Sequence, residues 1–348
     1  MTRRSTTLVS ASVLLFALAF VAFVLPVPYV TLKPGPTVNT LGSYDGDPVI
    51  EIDGARTYPT DGSLRLTTVS VTSADARVSI AQAFASYFDE DDAVVPRSQY
   101  YPEGVDPKQS EKQSADQMSG SKQTSEAAAL RAAGYDVPAV VTASQVVQDG
   151  PSAGKVEVGD RIRTVNGTRA NGAGTLIKLV RATEPGQVVE LGITRDGRDS
   201  TVDITTDTLP DAPGIARVGV SLAEDFDFPI TVRNNLSEIG GPSAGTMFAL
   251  AIYDKLEPGD LTGGRKIAGT GEITADGQVL PIGGISQKIA GAHEAGATTF
   301  LVPEANCAEA AAGHDFGLRL VEVGTLKQAI DSLEKLADDP DAKVPTCR

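Results

Sequence analysis

The sequence is poor in aromatic and metal-binding residues. Its 348 residues include no tryptophan, two histidines and two cysteines, and aromatic residues make up 5% of the chain. The spacing of His293, His314, Cys307 and Cys347 fits no common zinc pattern, and no Gly-x-x-x-x-Gly-Lys-Ser/Thr motif for ATP phosphates occurs. We therefore expect neither a metal site nor a bound cofactor.

Basic residues are scarce relative to acidic ones. The 30 lysines and arginines are outnumbered by 45 aspartates and glutamates, which gives a formal net charge of −15. Nucleic-acid binding requires a basic face, and anionic lipid surfaces attract basic segments. The charge balance thus argues against a nucleic-acid partner and against docking on an anionic membrane surface. The length allows two or three domains.

Charged residues are absent from the stretch 8–30, which follows a polar tail over 1–7. An apolar run of this length predicts a transmembrane helix of roughly 20 residues. Because Arg3 and Arg4 precede the run, we expect the N-terminus in the cytoplasm and the remainder outside, on a single-pass membrane protein. A cleaved signal peptide is the alternative. Ala17-Leu18-Ala19 has the small-residue pattern of a cleavage site, but it lies inside the apolar run, which favours an uncleaved anchor.

An extracytoplasmic location would place Cys307 and Cys347 in an oxidising environment, where a disulfide between them is expected. The bridge would tie the polar C-terminal tail to the last domain. The alternative is two unrelated thiols.

Residues 31–125 are predicted to form an extracytoplasmic N-terminal region that ends in a linker. Alternating stretches at 49–52 and 64–71 indicate strands, and the pattern at 76–88 indicates a helix. The stretch 89–124 is acidic at first and then rich in Gln, Ser and Lys, which is typical of a solvated loop, with a helix at its end left open.

The pentapeptide Gly-Pro-Ser-Ala-Gly occurs twice, at 150–154 and at 241–245. An isolated copy is most simply a Gly/Pro turn. The copy around Ser152 leads into a charged, alternating stretch, which predicts a loop entering a strand. The copy around Ser243 opens an almost wholly apolar run over 246–253, which predicts a buried helix. Ser243 would then lie in the first helical turn, beside unpaired N–H groups that favour an oxyanion.

A nucleophilic serine requires a base. His293 and His314 lie in polar segments that hold a base poorly, so we expect both at the surface. Lys288 lies in small and apolar surroundings after the run 281–284, and burial would lower the pKa of its ammonium from about 10.4 toward 7–8. Spacing alone leaves open whether Lys288 is such a base or an ordinary solvated lysine.

The stretch 158–167, Val-Gly-Asp-Arg-Ile-Arg-Thr-Val-Asn-Gly, resembles a strand and Asn-Gly turn of a PDZ domain, which we place at 126–208. This resemblance implies a helix over 175–181 beside a peptide groove, and a hairpin over 188–205. Such grooves add an extended peptide to a sheet edge. The usual Gly-Leu-Gly-Phe-type carboxylate loop cannot be placed, because Asp136 in the nearest candidate would repel a carboxylate. Either a peptide-binding domain or a purely structural one is therefore expected.

Three further motifs join the Ser243 pentapeptide. They are Gly-Thr-Gly-Glu-Ile-Thr at 269–274, Gly-Gln-Val-Leu-Pro-Ile-Gly-Gly at 277–284, and Lys288 four residues later. Together they resemble the proteolytic domain of Lon proteases over about 215–336, within a predicted domain at 209–348. The resemblance implies that Ser243 is the nucleophile, Lys288 its base and Thr270 a residue that orients the lysine. The backbone N–H groups of Ser243 and Ala244 would bind the oxyanion.

Two positions depart from the pattern of ATP-dependent Lon enzymes. Ser286 stands where those enzymes carry a second lysine, and Gly240 stands where they carry an aspartate. The first departure leaves Lys288 as the candidate base, and the second puts the local geometry before the pentapeptide in doubt.

The whole chain is similar to the bacterial PDZ–Lon family of membrane-anchored extracytoplasmic serine peptidases. The similarity implies a multidomain α/β (α+β) protein with an N-terminal transmembrane helix, a β-rich PDZ domain and a Lon-type proteolytic domain. We expect an ATP-independent endopeptidase that cuts peptides or unfolded segments, with a peptide ligand for the PDZ domain and a homo-oligomer as open possibilities. The alternatives are a PDZ-based binding protein on an inactive Lon-like scaffold, and an esterase or acyltransferase that uses the same dyad.

Overall fold

The computed structural model describes residues 3–101, 106–209, 212–236 and 239–348. The helices of these residues are α1 (Arg3–Val24), α2 (Ile80–Tyr87), α3 (Arg97–Tyr100), α4 (Pro107–Ala132), α5 (Ala173–Arg181), α6 (Gly245–Leu256), α7 (Ile285–Glu294), α8 (Cys307–Ala312) and α9 (Leu326–Asp338). Their strands are β1 (Pro26–Val27), β2 (Tyr29–Asn39), β3 (Ser43–Tyr44), β4 (Asp47–Pro48), β5 (Ile50–Asp53), β6 (Ser63–Val71), β7 (Val78–Ser79), β8 (Ala93–Pro96), β9 (Ala139–Val146), β10 (Arg161–Val165), β11 (Thr168–Arg169), β12 (Val188–Arg195), β13 (Arg198–Thr205), β14 (Asp207–Leu209), β15 (Ala212–Arg217), β16 (Val220–Phe226), β17 (Thr231–Asn234), β18 (Lys266–Gly269), β19 (Glu272–Ile273), β20 (Val279–Leu280), β21 (Thr299–Pro303) and β22 (Arg319–Val323).

The chain divides into a larger unit, made of residues 1–134 and 230–348, and a smaller unit, made of residues 135–229. The larger unit is built on a mixed sheet of strand order β22-β21-β18-β6-β2-β8. The four strands β22, β21, β18 and β6 run parallel to one another, whereas β2 and β8 are antiparallel to their neighbours. Helix α7 packs against β2 and β6, and α6 is buried along almost its whole length, as its apolar sequence predicts.

The smaller unit is an antiparallel sheet of order β13-β12-β10-β9-β16 with α5 beside it. Its core consists of alternating apolar strand residues together with Leu176 and Val180 of α5. The predicted helix over 175–181 and the predicted hairpin over 188–205 are both present. The mixed α/β class with a β-rich smaller unit is thus as expected.

The unit boundaries differ from the predicted ones at 126–208 and 209–348. Strand β16 pairs with β9, so it belongs to the smaller unit rather than to the C-terminal domain. Strands β2, β6 and β8 come from the predicted N-terminal region 31–125, yet they form half of the larger unit's sheet. The larger unit is therefore assembled from two segments separated in sequence, which no local pattern indicates.

The predicted linker 89–124 is also corrected. Within its described residues the chain forms β8, α3 and most of the 26-residue helix α4, whose N-terminus is capped by Asp106. The sequence of α4 lacks the pattern of large apolar residues that indicates an amphipathic helix, because its buried positions hold small residues such as Ser121, Ser125 and Ala127. The prediction of a helix at the end of this stretch was too short.

The predicted transmembrane helix over 8–30 is not borne out. Residues 3–24 form α1, but Pro26 and Pro28 end its apolar part at Val24, where the short strand β1 and then β2 follow. Among the described residues, no helix combines the length and the apolar character that a membrane crossing requires.

Candidate active site

Ser243 lies in the turn that leads into α6. The helix begins at Gly245, so Ser243 precedes it by two residues instead of lying in its first turn as predicted. The carbonyl of Ser243 accepts hydrogen bonds from the Gly271 N–H at 2.9 Å and from the Thr270 hydroxyl at 3.0 Å. The turn is therefore held by the segment that follows β18.

Lys288 reaches Ser243 from α7. This helix begins after Gly284, which has a left-handed backbone with φ of 70° and lies so close to Val69 that a Cβ would be 2.8 Å from that side chain. The close approach of α7 to β6 brings Lys288 Nζ to 2.8 Å from Ser243 Oγ. Lys288 is 3% exposed, and burial lowers the pKa of its ammonium to about 7.

Two other oxygens surround the lysine nitrogen. Nζ lies 3.0 Å from Thr270 Oγ1 and 3.3 Å from the Thr67 carbonyl oxygen. A neutral amine has two N–H bonds and one lone pair. If Thr270 and Thr67 accept the two N–H bonds, the lone pair is left for the hydroxyl hydrogen of Ser243. The geometry thus matches the arrangement of a serine and a neutral lysine base.

Thr67 is a site residue that sequence reasoning missed. It lies on β6, in the predicted N-terminal region, and its own hydroxyl donates to the Gly269 carbonyl at 3.2 Å. The interaction with Lys288 uses the Thr67 backbone carbonyl, which every residue type possesses. No side-chain signal could have identified this position, because the strand pairing alone places it.

The backbone N–H groups of Ser243 and Ala244 are available at the turn. Within the described part of the chain, neither donates to a protein acceptor, and both residues line a cavity of about 570 Å³ together with Lys288. Unpaired N–H groups beside a hydroxyl can stabilise a negative oxygen that forms on a bound carbonyl. The predicted oxyanion-binding N–H groups therefore lie beside the Ser243 hydroxyl, at the same cavity.

The same cavity is bordered by one side of β6. Strand β18 pairs with β6 only as far as Leu66, whereas β6 continues to Val71. Residues 68–71 line the cavity. Beyond β18 this side of β6 therefore offers strand backbone to an extended peptide.

Parts of the chain match known protein families. The family model of the Lon protease (S16) C-terminal proteolytic domain matches residues 221–315, and the PDZ domain model matches residues 104–206. Lon protease 1 of Bacillus subtilis is 42% identical over 83 residues, and the Lon protease of Buchnera aphidicola is 32% identical over 150 residues. The matches cover 24% and 43% of this chain. They span 10% and 18% of the respective relatives.

The chain contains a Lon-type serine peptidase domain and a PDZ domain. Among solved structures, the PDZ domain of the SdrC-like protein of Listeria monocytogenes is 20% identical, with a TM-score of 0.23, and the match covers 24% of this chain and 86% of that one.

Around the Lon-type site, the structure explains one departure in sequence. A Cβ at Gly240 would lie 2.3 Å from Ser114 Oγ and 3.2 Å from Ser114 Cβ, both on α4. Helix α4 therefore occupies the space in which a side chain at position 240 would begin. Ser286, at the second position that departs from the pattern, lies near the start of α7.

The remaining candidate residues lie elsewhere. His293 and His314 both pack on the ring of Phe316, at centroid distances of 5.0 and 4.2 Å. Neither histidine lines the Ser243 cavity described above. Cys307 and Cys347 form the predicted disulfide, which joins α8 to the C-terminal tail.

Ser152 has a structural position in the PDZ unit. Its side chain is fully buried, and its hydroxyl donates to the Val218 carbonyl at 2.6 Å. The Gly-Pro-Ser-Ala-Gly copy at 150–154 thus has a structural role, because its serine is hydrogen-bonded to the segment that precedes β16. It has no base beside its serine among these contacts.

The PDZ unit carries a groove of about 300 Å³ between α5 and β16. Its lining includes Leu176, Ile177 and Val180 of α5, and β16 is the edge strand of the sheet. Residues 217–219 precede this strand and also line the groove. The sequence analysis looked for a carboxylate loop near residue 134, at the start of the unit. The segment that borders the groove instead precedes β16, the last strand of the unit.

Proposed function

We propose that this protein is an ATP-independent serine endopeptidase in which Ser243 and Lys288 form the catalytic dyad. The observation that carries the proposal is the 2.8 Å separation of Lys288 Nζ and Ser243 Oγ in a buried site where the lysine pKa is lowered to about 7. A base of that pKa is suited to proton transfer near neutral pH. The absence of a P-loop motif in this sequence supports independence from ATP.

In the proposed reaction, Ser243 Oγ attacks the carbonyl carbon of the scissile peptide bond while its proton passes to Lys288 Nζ. The N–H groups of Ser243 and Ala244 stabilise the oxyanion of the tetrahedral intermediate. Lys288 then gives the proton to the departing amine, and the C–N bond breaks. Water hydrolyses the acyl ester by the same route, with Lys288 again taking and returning a proton. Thr270 and the Thr67 carbonyl hold the amine in place throughout.

The proposed substrate is an extended peptide or an unfolded protein segment. Such a chain would pair with the open side of β6 over residues 68–71, which lies beside Ser243 in the cavity. A folded strand or helix already has its backbone groups paired and would not bind this way. Without ATP-driven unfolding, the proposed peptidase would therefore cut segments that are already accessible.

The test is cleavage of casein without ATP by wild type and by the Ser243→Ala, Lys288→Ala and Ser152→Ala variants. Loss of the dyad is expected to reduce the rate by roughly 10⁴-fold or more. Ser152→Ala serves as the matched control, because it removes the hydroxyl from the other Gly-Pro-Ser-Ala-Gly copy, and it should leave cleavage largely intact. Cleavage that survives in Ser243→Ala would refute the dyad. A wild type that neither cleaves casein nor reacts with a fluorophosphonate probe would refute the peptidase, and cleavage of esters alone would indicate an esterase.

We further propose that the PDZ unit binds an extended peptide in the groove between α5 and β16. The apolar lining and the edge position of β16 support this proposal. Fluorescence polarisation with a labelled peptide library would test it, using free and amidated C-termini. Ile177→Asp in the groove should weaken binding, whereas Val188→Asp, at an exposed position on β12, should not. Equal binding by both variants would contradict the proposed groove.

An extracytoplasmic location of the catalytic unit is proposed on the strength of the Cys307–Cys347 disulfide. Disulfides persist in oxidising compartments and are rare in reducing ones. The test is to alkylate free thiols during lysis of the native host and to identify the modified residues by mass spectrometry. Both cysteines should escape alkylation, and modification of both would contradict this location.

A further inference from the structure

Helix α4 packs directly behind the turn that carries Ser243. The Gly241 N–H donates to the Ser114 carbonyl at 3.0 Å, and the Ser121 hydroxyl donates to the Pro242 carbonyl at 2.9 Å. Ser121 is 4% exposed. The turn has no room for side chains on this side, since a Cβ at Gly245 would lie 2.8 Å from Ser121 Oγ. Two backbone groups of the turn are thus fixed by one helix.

The bond from Ser121 acts on the peptide group that contains the Ser243 N–H. A peptide group is planar and trans, so its N–H points opposite to its C=O. No cis bond occurs in the described chain. The Pro242 carbonyl is directed to Ser121, and the Ser243 N–H of the same plane is therefore directed away from α4. The cavity lining supports this arrangement, because it includes Pro242, Ser243 and Ala244 but no α4 residue among those described.

We propose that Ser121 is a positioning residue for the oxyanion-binding turn, and that its hydroxyl fixes the Pro242–Ser243 peptide so that the Ser243 N–H faces the reacting carbonyl oxygen. The inference rests on the proposed peptidase function for its kinetic consequence. The orientation of the Ser243 N–H, in contrast, does not depend on whether the protein cleaves peptides. Ser121 does not contact the substrate and exchanges no proton with it.

The helix offers a matched control for this residue. Ser125 is also a fully buried serine on α4, but its hydroxyl donates to the Lys122 carbonyl of its own helix at 2.8 Å. Replacing either serine by alanine removes one buried hydroxyl from the same helix. Only the Ser121 change removes a hydrogen bond from the Pro242 carbonyl, which then keeps only the longer bond from the Gly245 N–H at 3.3 Å.

The kinetic experiment compares Ser121→Ala, Ser121→Thr and Ser125→Ala with wild type on a fluorogenic peptide. Loss of amide orientation weakens binding of the transition state rather than of the substrate. We expect Ser121→Ala to lower kcat by roughly 10- to 100-fold with KM little changed. The pH at which activity is half-maximal should stay the same, because the surroundings of Lys288 are intact. Ser121→Thr should restore most of kcat, and Ser125→Ala should resemble wild type.

A second measurement does not depend on activity. In ¹H–¹⁵N spectra of serine-labelled full-length protein, the Ser243 resonance is assigned by its loss in Ser243→Ala. Ser121→Ala should shift or broaden this resonance, and Ser125→Ala should leave it in place. An unmoved Ser243 resonance in Ser121→Ala would overturn the positioning role even in an inactive protein. If the wild type is active, a kcat of Ser121→Ala equal to that of wild type would also overturn the positioning role. The same holds if Ser121→Ala and Ser125→Ala lower kcat equally.

Discussion

At the residue scale, the charge state of Lys288 decides whether the proposed dyad can react. The amine lies among uncharged oxygen atoms, from Ser243, Thr270 and Thr67, and no carboxylate is among its hydrogen-bond partners in the described chain. Burial alone therefore lowers its pKa. The same desolvation that makes the amine a useful base also makes its protonated form costly to bury.

The rate of peptide cleavage should follow the neutral form of Lys288. Because its pKa is lowered to about 7, we expect kcat/KM to rise about tenfold per pH unit below 7 and to level off above it. Initial rates on a fluorogenic peptide between pH 5 and 10 would test this. A rate that keeps rising until about pH 10, as expected of an ordinary exposed lysine, would contradict the role of Lys288 as the base.

The free energy of unfolding should also depend on pH through Lys288. The lysine pKa is about 7 in the folded protein against the ordinary value of 10.5, so the folded state binds fewer protons between these pH values. The free energy of unfolding contributed by Lys288 should thus rise with pH across this window and be constant below it. Between pH 6 and 10, wild type should gain roughly 4 kcal/mol relative to Lys288→Met.

Urea unfolding at the two pH values measures this difference. A Lys327→Met variant, at a position whose side chain is 81% exposed, provides the control and should show no such gain. Identical pH dependence of wild type and Lys288→Met would exclude a lowered lysine pKa.

At the element scale, the start of α6 is confined on two sides. Helix α4 lies on one side and β19 on the other, and a Cβ at Gly245 would meet Ser121 Oγ at 2.8 Å and Ile273 Cγ2 at 2.9 Å. Glycine is ordinarily a poor helix residue. Here it permits the close packing that holds the nucleophile turn.

Gly245→Ala should therefore destabilise the protein by roughly 1–3 kcal/mol, despite the better helix propensity of alanine, because the added methyl group has no space. The matched change is Gly174→Ala in α5, where nothing lies within 4 Å of an added Cβ, and we expect it to stabilise by about 0.5–1 kcal/mol. Thermal unfolding and casein cleavage of both variants measure the contrast. A stabilising Gly245→Ala would show that the turn is not confined.

At the scale of the whole molecule, the catalytic unit depends on both of its sequence segments. Strand β6 supplies the Thr67 carbonyl and lies between β18 and β2 in the sheet. The PDZ unit, in contrast, has its own buried core and lies between the two segments in sequence. The two units should therefore behave differently when expressed as fragments.

A fragment of residues 135–229 should fold alone, whereas a fragment of residues 209–348 should not. The second fragment lacks β2, β6 and β8, so the parallel strand β18 would lose a neighbour and α7 would lose the surface on which it packs. Dispersion of ¹H–¹⁵N amide spectra measures folding in each case. A well-dispersed spectrum of the 209–348 fragment would contradict the two-segment unit.

The disulfide should stabilise the C-terminal end of the catalytic unit. It joins residues that are 40 positions apart, for which the chain-entropy estimate is about 4 kcal/mol. Reductant should thus lower the unfolding temperature of wild type and leave that of Cys347→Ser unchanged. An equal response of the two proteins to reductant would contradict this contribution.

The sequence by itself determined the candidate site residues and the local elements. The resemblance of the motifs at 241–245, 269–274 and 277–284 to Lon proteases implies Ser243, Thr270 and Lys288 as candidate site residues, and the apolar run after Ser243 forms the buried helix α6. The PDZ signature likewise predicts the strand and helix pattern of the smaller unit. These features are local, because side-chain identity and periodicity lie within a few consecutive residues.

Only the tertiary structure decided what surrounds the dyad. Thr67 contacts Lys288 through a backbone carbonyl across a separation of 221 residues, and Ser121 contacts Pro242 across 121 residues. The polar sequence of α4 gave no sign that it packs behind the nucleophile, and the last strand of the PDZ unit was assigned to the wrong domain. Such pairings depend on which strand edges and helix faces meet after the chain folds. A backbone carbonyl carries no residue-specific signal, so its role became visible only when long-range packing placed it beside the lysine.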